Sequence, residues 1–372
     1  MRVLVDATTL DGGHSGAATR LQAMGHAHAC RGEVDVVHLV RPDVSVLEGL
    51  ECLPVPWGAS PLSRARVGRH LDRLAQEQEA VLIHCGALPL AAVRHVPQCL
   101  TLHDLRFLDR RSEPSPLRRM WAASRLRSNL SRARTVVAVS HATAESISDQ
   151  GLFPPDKVEV IPNASSPEID PVNDPDVIAA FRRRADLHTR YVLFIGPEAP
   201  HKNPLLALQV LAEVRQLPGG EDLSLVMAGR VSPGKALSLA RRAEGLGIQE
   251  AVRFVGPLDH ATLSAALTGA DAFMVTSFTE GFSIPVVDAQ RFGIPVVAVD
   301  TGALPEVVGE GGWIVGSEDV TALATALLDA VTPSASRDAC LARGKTLSVQ
   351  WSWEDSAVRL EEVWRRVSAE ET

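Results

Sequence analysis

The 372-residue sequence has little of what would mark a membrane, secreted or nucleic-acid-binding protein. It holds no uninterrupted run of about 18 apolar residues, the length a spanning helix needs. The best stretch, residues 80–93, is broken by His84 and Pro89. Five cysteines (Cys30, Cys52, Cys85, Cys99 and Cys340) are odd in number, widely spaced and without a Cys-x-x-Cys pair. Free thiols in a reducing compartment are expected, not a disulfide framework. Basic excess is also missing: 37 Lys+Arg stand against 45 Asp+Glu, a net charge of −8. That balance argues against a dedicated nucleic-acid binder. The first 170 residues carry 19 charges of each sign, so the net negative charge lies in the C-terminal part. No repeat of 20–50 residues and no low-complexity tract is present. The opening MRVLVDATTL has a run of only three apolar residues, Val3–Val5, before Asp6 and reads as a strand, not a signal peptide. A soluble cytoplasmic protein is expected.

What remains is ordinary globular composition, 45% hydrophobic and 22% charged, at a length that suits two domains. Short β-branched runs alternate with helical patterns along nearly the whole chain. Strands are predicted at residues 2–6, 34–40, 81–84, 99–103, 135–140 and 158–161, then at 191–195, 223–228, 252–255, 272–276 and 295–299. Helices are predicted near 16–30, 62–78, 116–133 and 142–150, then near 204–216, 235–246, 260–269, 285–292 and 318–331. Continuous apolar strands separated by helices predict parallel sheets covered on both faces. Two such halves predict two doubly wound domains, with ligands at the carboxyl ends of the strands. The proline-rich stretch 162–175 (PNASSPEIDPVNDP) reads as the linker. The division expected is 1–170, 171–350 and a C-terminal segment 351–372. That last segment is an amphipathic helix, with Ala357, Val358, Leu360, Val363 and Trp364 on its apolar face, packing back toward the first domain.

Four segments have the residue types of a ligand site. In FIGPEAPHKNPLLALQVL a strand ends near Gly196, and Lys202 precedes Asn203-Pro204, a pattern of N-cap and first helical turn. An ammonium beside unpaired helix N–H groups suits a phosphate; a surface lysine beside a loop is the plain alternative. In SFTEGFSIPVVDAQRFGIP a strand leads into a loop with Glu280 and then a helix from Pro285, with Asp288 assigned to its first turn. Carboxylates there suit the hydroxyls of a sugar, although an acid in a first helical turn is also favoured by the dipole alone. His103 closes the strand of CLTLHDL, placed for acid–base or substrate contact or for a structural hydrogen bond. The glycines of DGGHSGAATR let backbone approach a phosphate, but Asp11 stands where G-x-G-x-x-G needs glycine.

Two look-alikes carry less. GRVSPGK (229–235) has the G-x-x-x-x-G-K frame, but Ala236 supplies no hydroxyl for Mg²⁺ and Pro233 removes an N–H. His26, His28 and Cys30 could hint at a metal, but only His26 and Cys30 share a helix face; no metal site is expected. The segment Arg106–Arg134 contains nine arginines, with Asp109 and Glu113 as its acids. It reads either as a contact for an anionic membrane surface or anionic acceptor, or as a solvated amphipathic helix.

Taken together, these segments resemble the retaining glycosyltransferases of family 4, which have the GT-B fold. The family's E-x7-E region stands here as Glu280-Gly-Phe-Ser-Ile-Pro-Val-Val-Asp288-Ala, with Asp at the second acidic position. GPEAPHKNP, HDLRF, VAVSHATAESI, VIPNAS, GIPVVAVDTGALPEVVGEGG and WSWEDSA also resemble the family, over about residues 1–365. The resemblance implies a GT-B architecture, two Rossmann-like domains with parallel sheets facing across a cleft. It implies transfer of a sugar from a nucleoside-diphosphate sugar to an acceptor hydroxyl with retention, without a bound cofactor or metal. Lys202 is implied to bind the donor diphosphate and Glu280 the donor sugar. The backbone at Gly281 and Phe282, with Ser283, Gly196 and Arg230, completes the donor site, and Asp288 accepts from the ribose. Gly16 is implied to meet the phosphates and His103 to lie on the acceptor side. Pro197 and His201 stand where many members carry arginine. The acceptor is expected to be a carbohydrate, a lipid-linked molecule or a small molecule. A nucleotide-sugar epimerase of the same architecture and a non-catalytic sugar-binding protein are the rival readings.

Overall fold

A computed structural model of the chain describes residues 1–8, 15–42, 47–56, 61–112, 115–316 and 319–370, without the side chains of 61–66. Two compact units emerge, Met1–Ala164 with Trp351–Thr372, and Ser165–Gln350. The unit boundary falls within the proline-rich stretch, six residues before the expected position 170.

The first unit is built on β1 (Arg2–Asp6), α1 (Gly16–Arg31), β2 (Asp35–Val40), β3 (Cys52–Pro54), α2 (Pro61–Glu77), β4 (Leu82–Cys85), β5 (Gln98–Leu102), α3 (Pro116–Leu130), β6 (Thr135–Ala138), α4 (His141–Asp149) and β7 (Val158–Val160). Its strands form one sheet in the order β3-β2-β1-β4-β5-β6-β7, all paired parallel. β4, β5 and β6 are buried along their whole length, as strands covered on both faces must be. Helix starts are set by hydroxyl caps. Ser15, Ser115 and Ser140 accept from Ala18, Arg118 and Thr143, and Gly32 ends α1 in the left-handed region at φ 65°.

The second unit runs α5 (Pro175–Arg184), β8 (Tyr191–Ile195), α6 (Pro204–Val214), β9 (Ser224–Ala228), α7 (Pro233–Gly245), β10 (Val252–Gly256), α8 (His260–Thr268), β11 (Ala272–Val275), α9 (Ile284–Phe292), β12 (Val296–Val299), α10 (Leu304–Val308), β13 (Trp313–Val315), α11 (Val320–Val331) and α12 (Ala335–Ser348). The sheet order is β10-β9-β8-β11-β12-β13, again parallel. Its direction of growth reverses between β8 and β11. That is the topological switch point, where the loops beyond the strand ends diverge and leave room for a ligand.

The closing helix α13 (Trp353–Ala369) belongs to the first unit. Leu360, Val363 and Trp364 are buried, whereas Val358 is half-buried. The same face also buries an acid that the apolar pattern does not mark. The Glu361 side chain is fully buried and bonds to His28 (2.9 Å) and Arg31 (3.1 and 3.2 Å) of α1. Trp364 donates from Nε1 to Nδ1 of His84 at 3.1 Å. His28 is thus a core residue that anchors α13 while His26 and Cys30 face solvent. Among the described residues no group of three or more possible metal-ligating side chains occurs, and no helix is long and apolar enough to cross a membrane.

Candidate active site

The site in the second unit is made by the two loops that leave β8 and β11 on either side of the switch point. Beyond β8 the chain turns at Gly196, whose φ of 91° favours glycine. A side chain there would also stand 3.4 Å from Cγ of Lys202. A short 3-10 turn, Pro200–Lys202, then delivers Lys202 to the start of α6. Pro204 occupies the first turn as expected. Asn203, however, adopts the left-handed conformation (φ 51°) and its side chain makes no capping bond. The N–H groups at this helix start are therefore not covered by the expected Asn203 cap.

Beyond β11 the loop is tied to its neighbour. Thr276 Oγ1 donates to the carbonyls of Lys202 and Asn203 at 3.0 Å, and the N–H of Phe278 donates to His201 O at 2.7 Å. The result is a short ion pair: Lys202 Nζ lies 2.7 Å from Glu280 Oε1, with side chains 21% and 9% exposed. Ser277 Oγ donates to the same oxygen at 2.5 Å. Burial pushes the Glu280 carboxyl up, but the Lys202 ammonium and the bonds from Lys202 and Ser277 outweigh it. The carboxyl is held below its usual range, ionised at neutral pH. A cavity of about 10 Å³ is lined by Lys202, Ser277 and Ser283, among others. That is about the lower limit for a single bound water, roughly 10–15 Å³.

Glu280 is also seated from behind. The N–H of Ala303 donates to its carbonyl at 2.9 Å, and Thr301 Oγ1 donates to Ser277 O at 2.8 Å. A Cβ on Gly302, which has φ 55°, would fall 2.3 Å from Glu280 O and 2.8 Å from its N. Gly302→Ala should therefore displace the Glu280 backbone. Forced positive φ costs more than about 1 kcal/mol. The expected outcome is a lower Tm with kcat/KM reduced at least tenfold, measured by thermal melts and steady-state kinetics; unchanged kinetics would refute the fit.

Gly281, Phe282 and Ser283 are buried and lead into α9. Ser283 is left-handed (φ 79°) and its hydroxyl makes no capping bond; a non-glycine residue in this region is uncommon. Asp288 is the fifth residue of α9, not in its first turn, which contains no acid. The helix-dipole account of Asp288 therefore falls. Instead Asp288, 3% exposed, accepts from the N–H (2.7 Å) and hydroxyl (2.8 Å) of Ser166, one at each carboxylate oxygen. Arg291, one turn on, donates to the carbonyl of Ile169 and to Asp170. The segment read as a linker is thus docked on α9 over residues 166–170. Burial raises the Asp288 carboxyl to about 6, against the opposing bonds from Ser166.

Arg230 is exposed, just after β9. A Cβ on the adjacent Gly229 (φ 118°) would sit 3.4 Å from Gly196 N and Pro197 Cδ, so the two loops abut. The Gly229–Lys235 frame is no phosphate loop. Ser232 bonds Glu198 with its N–H (2.8 Å) and hydroxyl, and Pro233 already begins α7.

In the first unit, His103 follows β5 and donates from Nε2 to the carbonyl of Gly86 at 2.9 Å. Burial, with the nearby Arg20 charge, lowers its pKa to about 4. It is neutral near pH 7, with Nδ1 left as an acceptor. Gly16 is exposed and opens α1; residues 11–14 of the glycine loop lie outside the described residues. Sequence reasoning missed Ser166, Ser277 and Gly302. DTGALPE holds the one signal among them, a glycine before a helix start.

Residues 179–346 match the family model of Glycosyl transferases group 1, and residues 14–168 that of Glycosyltransferase Family 4. The chain belongs to the family 4-type glycosyltransferases of the GT-B fold. D-inositol 3-phosphate glycosyltransferase of Corynebacterium glutamicum (strain R) is 30% identical over 230 residues, 58% of this chain and 53% of that protein. O-antigen chain mannosyltransferase B of Escherichia coli is 26% identical over 234 residues, 62% and 60% of the two chains. The chain thus spans little more than half the length of these curated relatives. Sucrose-phosphate synthase from Thermosynechococcus elongatus superposes with a TM-score of 0.79 at 18% identity, over 99% of each chain. Anabaena Alr3699/HepE, solved in complex with UDP-glucose, gives 0.77 at 19% identity over 98% of this chain and 100% of that one. At such identity the likeness is one of fold.

Proposed function

We propose that the protein transfers a sugar from a nucleoside-diphosphate sugar to an acceptor hydroxyl, with retention of anomeric configuration. The observation that carries the reading is the Lys202–Glu280 pair at the switch point of the second unit. The ammonium suits a diphosphate, and the carboxylate suits the sugar hydroxyls attached to it. In the reaction the bond from the anomeric carbon to the diphosphate oxygen breaks, and its electron pair leaves with the phosphate. The acceptor oxygen forms the new bond on the same face and gives its proton to the departing phosphate. The protein's task is to stabilise the developing charge on the diphosphate, a contribution typically worth about 3 kcal/mol for one well-placed donor. Lys202 is assigned that role, with Arg230 and the loop N–H groups near Gly196 and Gly281 beside it. Asp288 is assigned to the ribose, and His103 and Gly16 to the acceptor and phosphate contacts of the first unit. A uridine diphosphate sugar is the first donor to test, given the ligand of the Anabaena structure.

The test is to incubate the protein with uridine and guanosine diphosphate sugars, with and without hydroxyl acceptors, and to follow release of nucleoside diphosphate. Acceptor-dependent release with a new glycoside of unchanged anomeric configuration is expected. Turnover of the donor alone into an isomeric nucleotide sugar would point to an epimerase, and inversion would refute the proposed course.

Catalysis should need no divalent metal. The triplet Asp174-Pro175-Asp176, the kind of motif that could hold one, caps α5 through Asp174 Oδ1 and the N–H of Asp176. Lys202 with the helix starts can supply the charge instead. Activity should survive a chelator; its loss with recovery on adding Mg²⁺ or Mn²⁺ would sink this assignment.

A further inference from the structure

Ser277 carries a buried hydroxyl on a fixed stretch of backbone. It follows β11 by two residues and is 1% exposed. Thr301 Oγ1 donates to its carbonyl at 2.8 Å, and the preceding Thr276 ties the loop to the carbonyls of Lys202 and Asn203. Glu280, three residues on, has a long side chain whose rotamer freedom is costly to order. Lys202 Nζ at 2.7 Å and Ser277 Oγ at 2.5 Å both reach the same carboxylate oxygen, Oε1. Among the described residues Oε2 accepts no hydrogen bond, and it keeps its lone pairs for a ligand. The two donors differ in what holds them. The Lys202 ammonium ends a flexible stem and has two further N–H donors, so an arriving diphosphate shares it or draws it away. The Ser277 hydroxyl turns about a single side-chain bond and stays in place.

We propose that Ser277 is a positioning residue for sugar transfer: its hydroxyl locks Glu280 Oε1, so that Oε2 is presented to the hydroxyls of the donor sugar. It touches no substrate itself. The inference rests on the sugar-transfer reading and adds to it the residue that keeps the carboxylate aimed once phosphate engages Lys202.

The test compares four full-length forms: wild type, Ser277→Ala, Glu280→Ala and the double variant. Each is assayed with the uridine or guanosine diphosphate sugar that the wild type turns over, and titrated calorimetrically with the matching bare diphosphate. Ser277→Ala should bind the bare diphosphate within about twofold of wild type and lose about tenfold in kcat/KM, the scale of one hydrogen bond to a charged group. In the Glu280→Ala background the same substitution should cost less than about twofold, because the hydroxyl acts only through the missing carboxylate. Undiminished kcat/KM in Ser277→Ala beside an impaired Glu280→Ala would overturn the proposal and leave the sugar-transfer reading standing. A further loss of about tenfold in the Glu280→Ala background would also overturn it, since the two effects would then be independent. So would a Ser277→Ala chain that melts far below wild type and binds both ligands poorly, which would assign the serine to the fold. Wild-type kinetics in Glu280→Ala would defeat both this proposal and the role given to Glu280.

Discussion

Replacing Lys202 by alanine is expected to lower kcat/KM for sugar transfer by about two to three orders of magnitude, the scale of one lost donor to a developing anion. The position is specific, since the ammonium is carried on the turn between β8 and α6 and held by Glu280 at 2.7 Å. The same substitution has a consequence without substrate. Glu280 loses the cation that outweighs its burial, so its carboxyl should rise from below its usual range. A carboxyl with a depressed folded-state pKa contributes stability above its unfolded pKa, and that contribution fades as pH falls through the folded value. The Tm deficit of Lys202→Ala should therefore be largest near neutral pH and shrink toward acid pH. Adding Glu280→Gln should recover part of it without restoring turnover. A variant that keeps more than about a third of wild-type kcat/KM would refute the assignment of Lys202.

That lysine was legible because strand, loop and helix punctuation are local. Apolar runs such as residues 191–195 and 272–276 end where β8 and β11 end or within a residue of it, and Pro204 and Pro285 mark the helix starts within a residue. Elements without such signals were missed. β3 and β13 are three residues each, too short to show a period. α5 starts at Pro175 with Asp174 as its cap, but the density of prolines around it read as linker. α12 has no strong apolar stripe, and its buried residues are Cys340, Gly344 and Ser348. Glu361 looked like part of a charged face, and only the fold brings it against His28 and Arg31, about 330 positions away. The partner of Asp288 was invisible for the same reason: Ser166 is 122 residues distant. No local pattern encodes such a contact. The spacing from Glu280 to Asp288 was plain in the sequence, but the start of α9 at Ile284 decides which turn the acid occupies.

Asp288→Ala and Glu280→Ala should separate the two carboxylates by ligand. If Asp288 meets the ribose, its removal weakens the bare nucleoside diphosphate and the nucleotide sugar alike, by about ten- to a hundredfold for a hydrogen bond to a charged group. Glu280→Ala should leave the diphosphate nearly unaffected and impair the nucleotide sugar, turnover or both. Each Asp288 oxygen already accepts once from Ser166 and keeps capacity for another donor. Accepting from ribose hydroxyls is what the ionised form does best, and burial has raised this carboxyl to about 6. Affinity for a nucleotide sugar should therefore fall as pH is lowered through about 6, and Asp288→Asn should lose that slope. The nucleotide sugar is the right ligand for this titration, because its phosphates lack the terminal ionisation near 6 that a phosphomonoester carries. If Asp288 serves only to hold Ser166 against α9, Asp288→Ala lowers Tm while calorimetric titration finds nucleotide affinity unchanged at every pH. Equal losses of diphosphate affinity in the two alanine variants would defeat the division of labour between them.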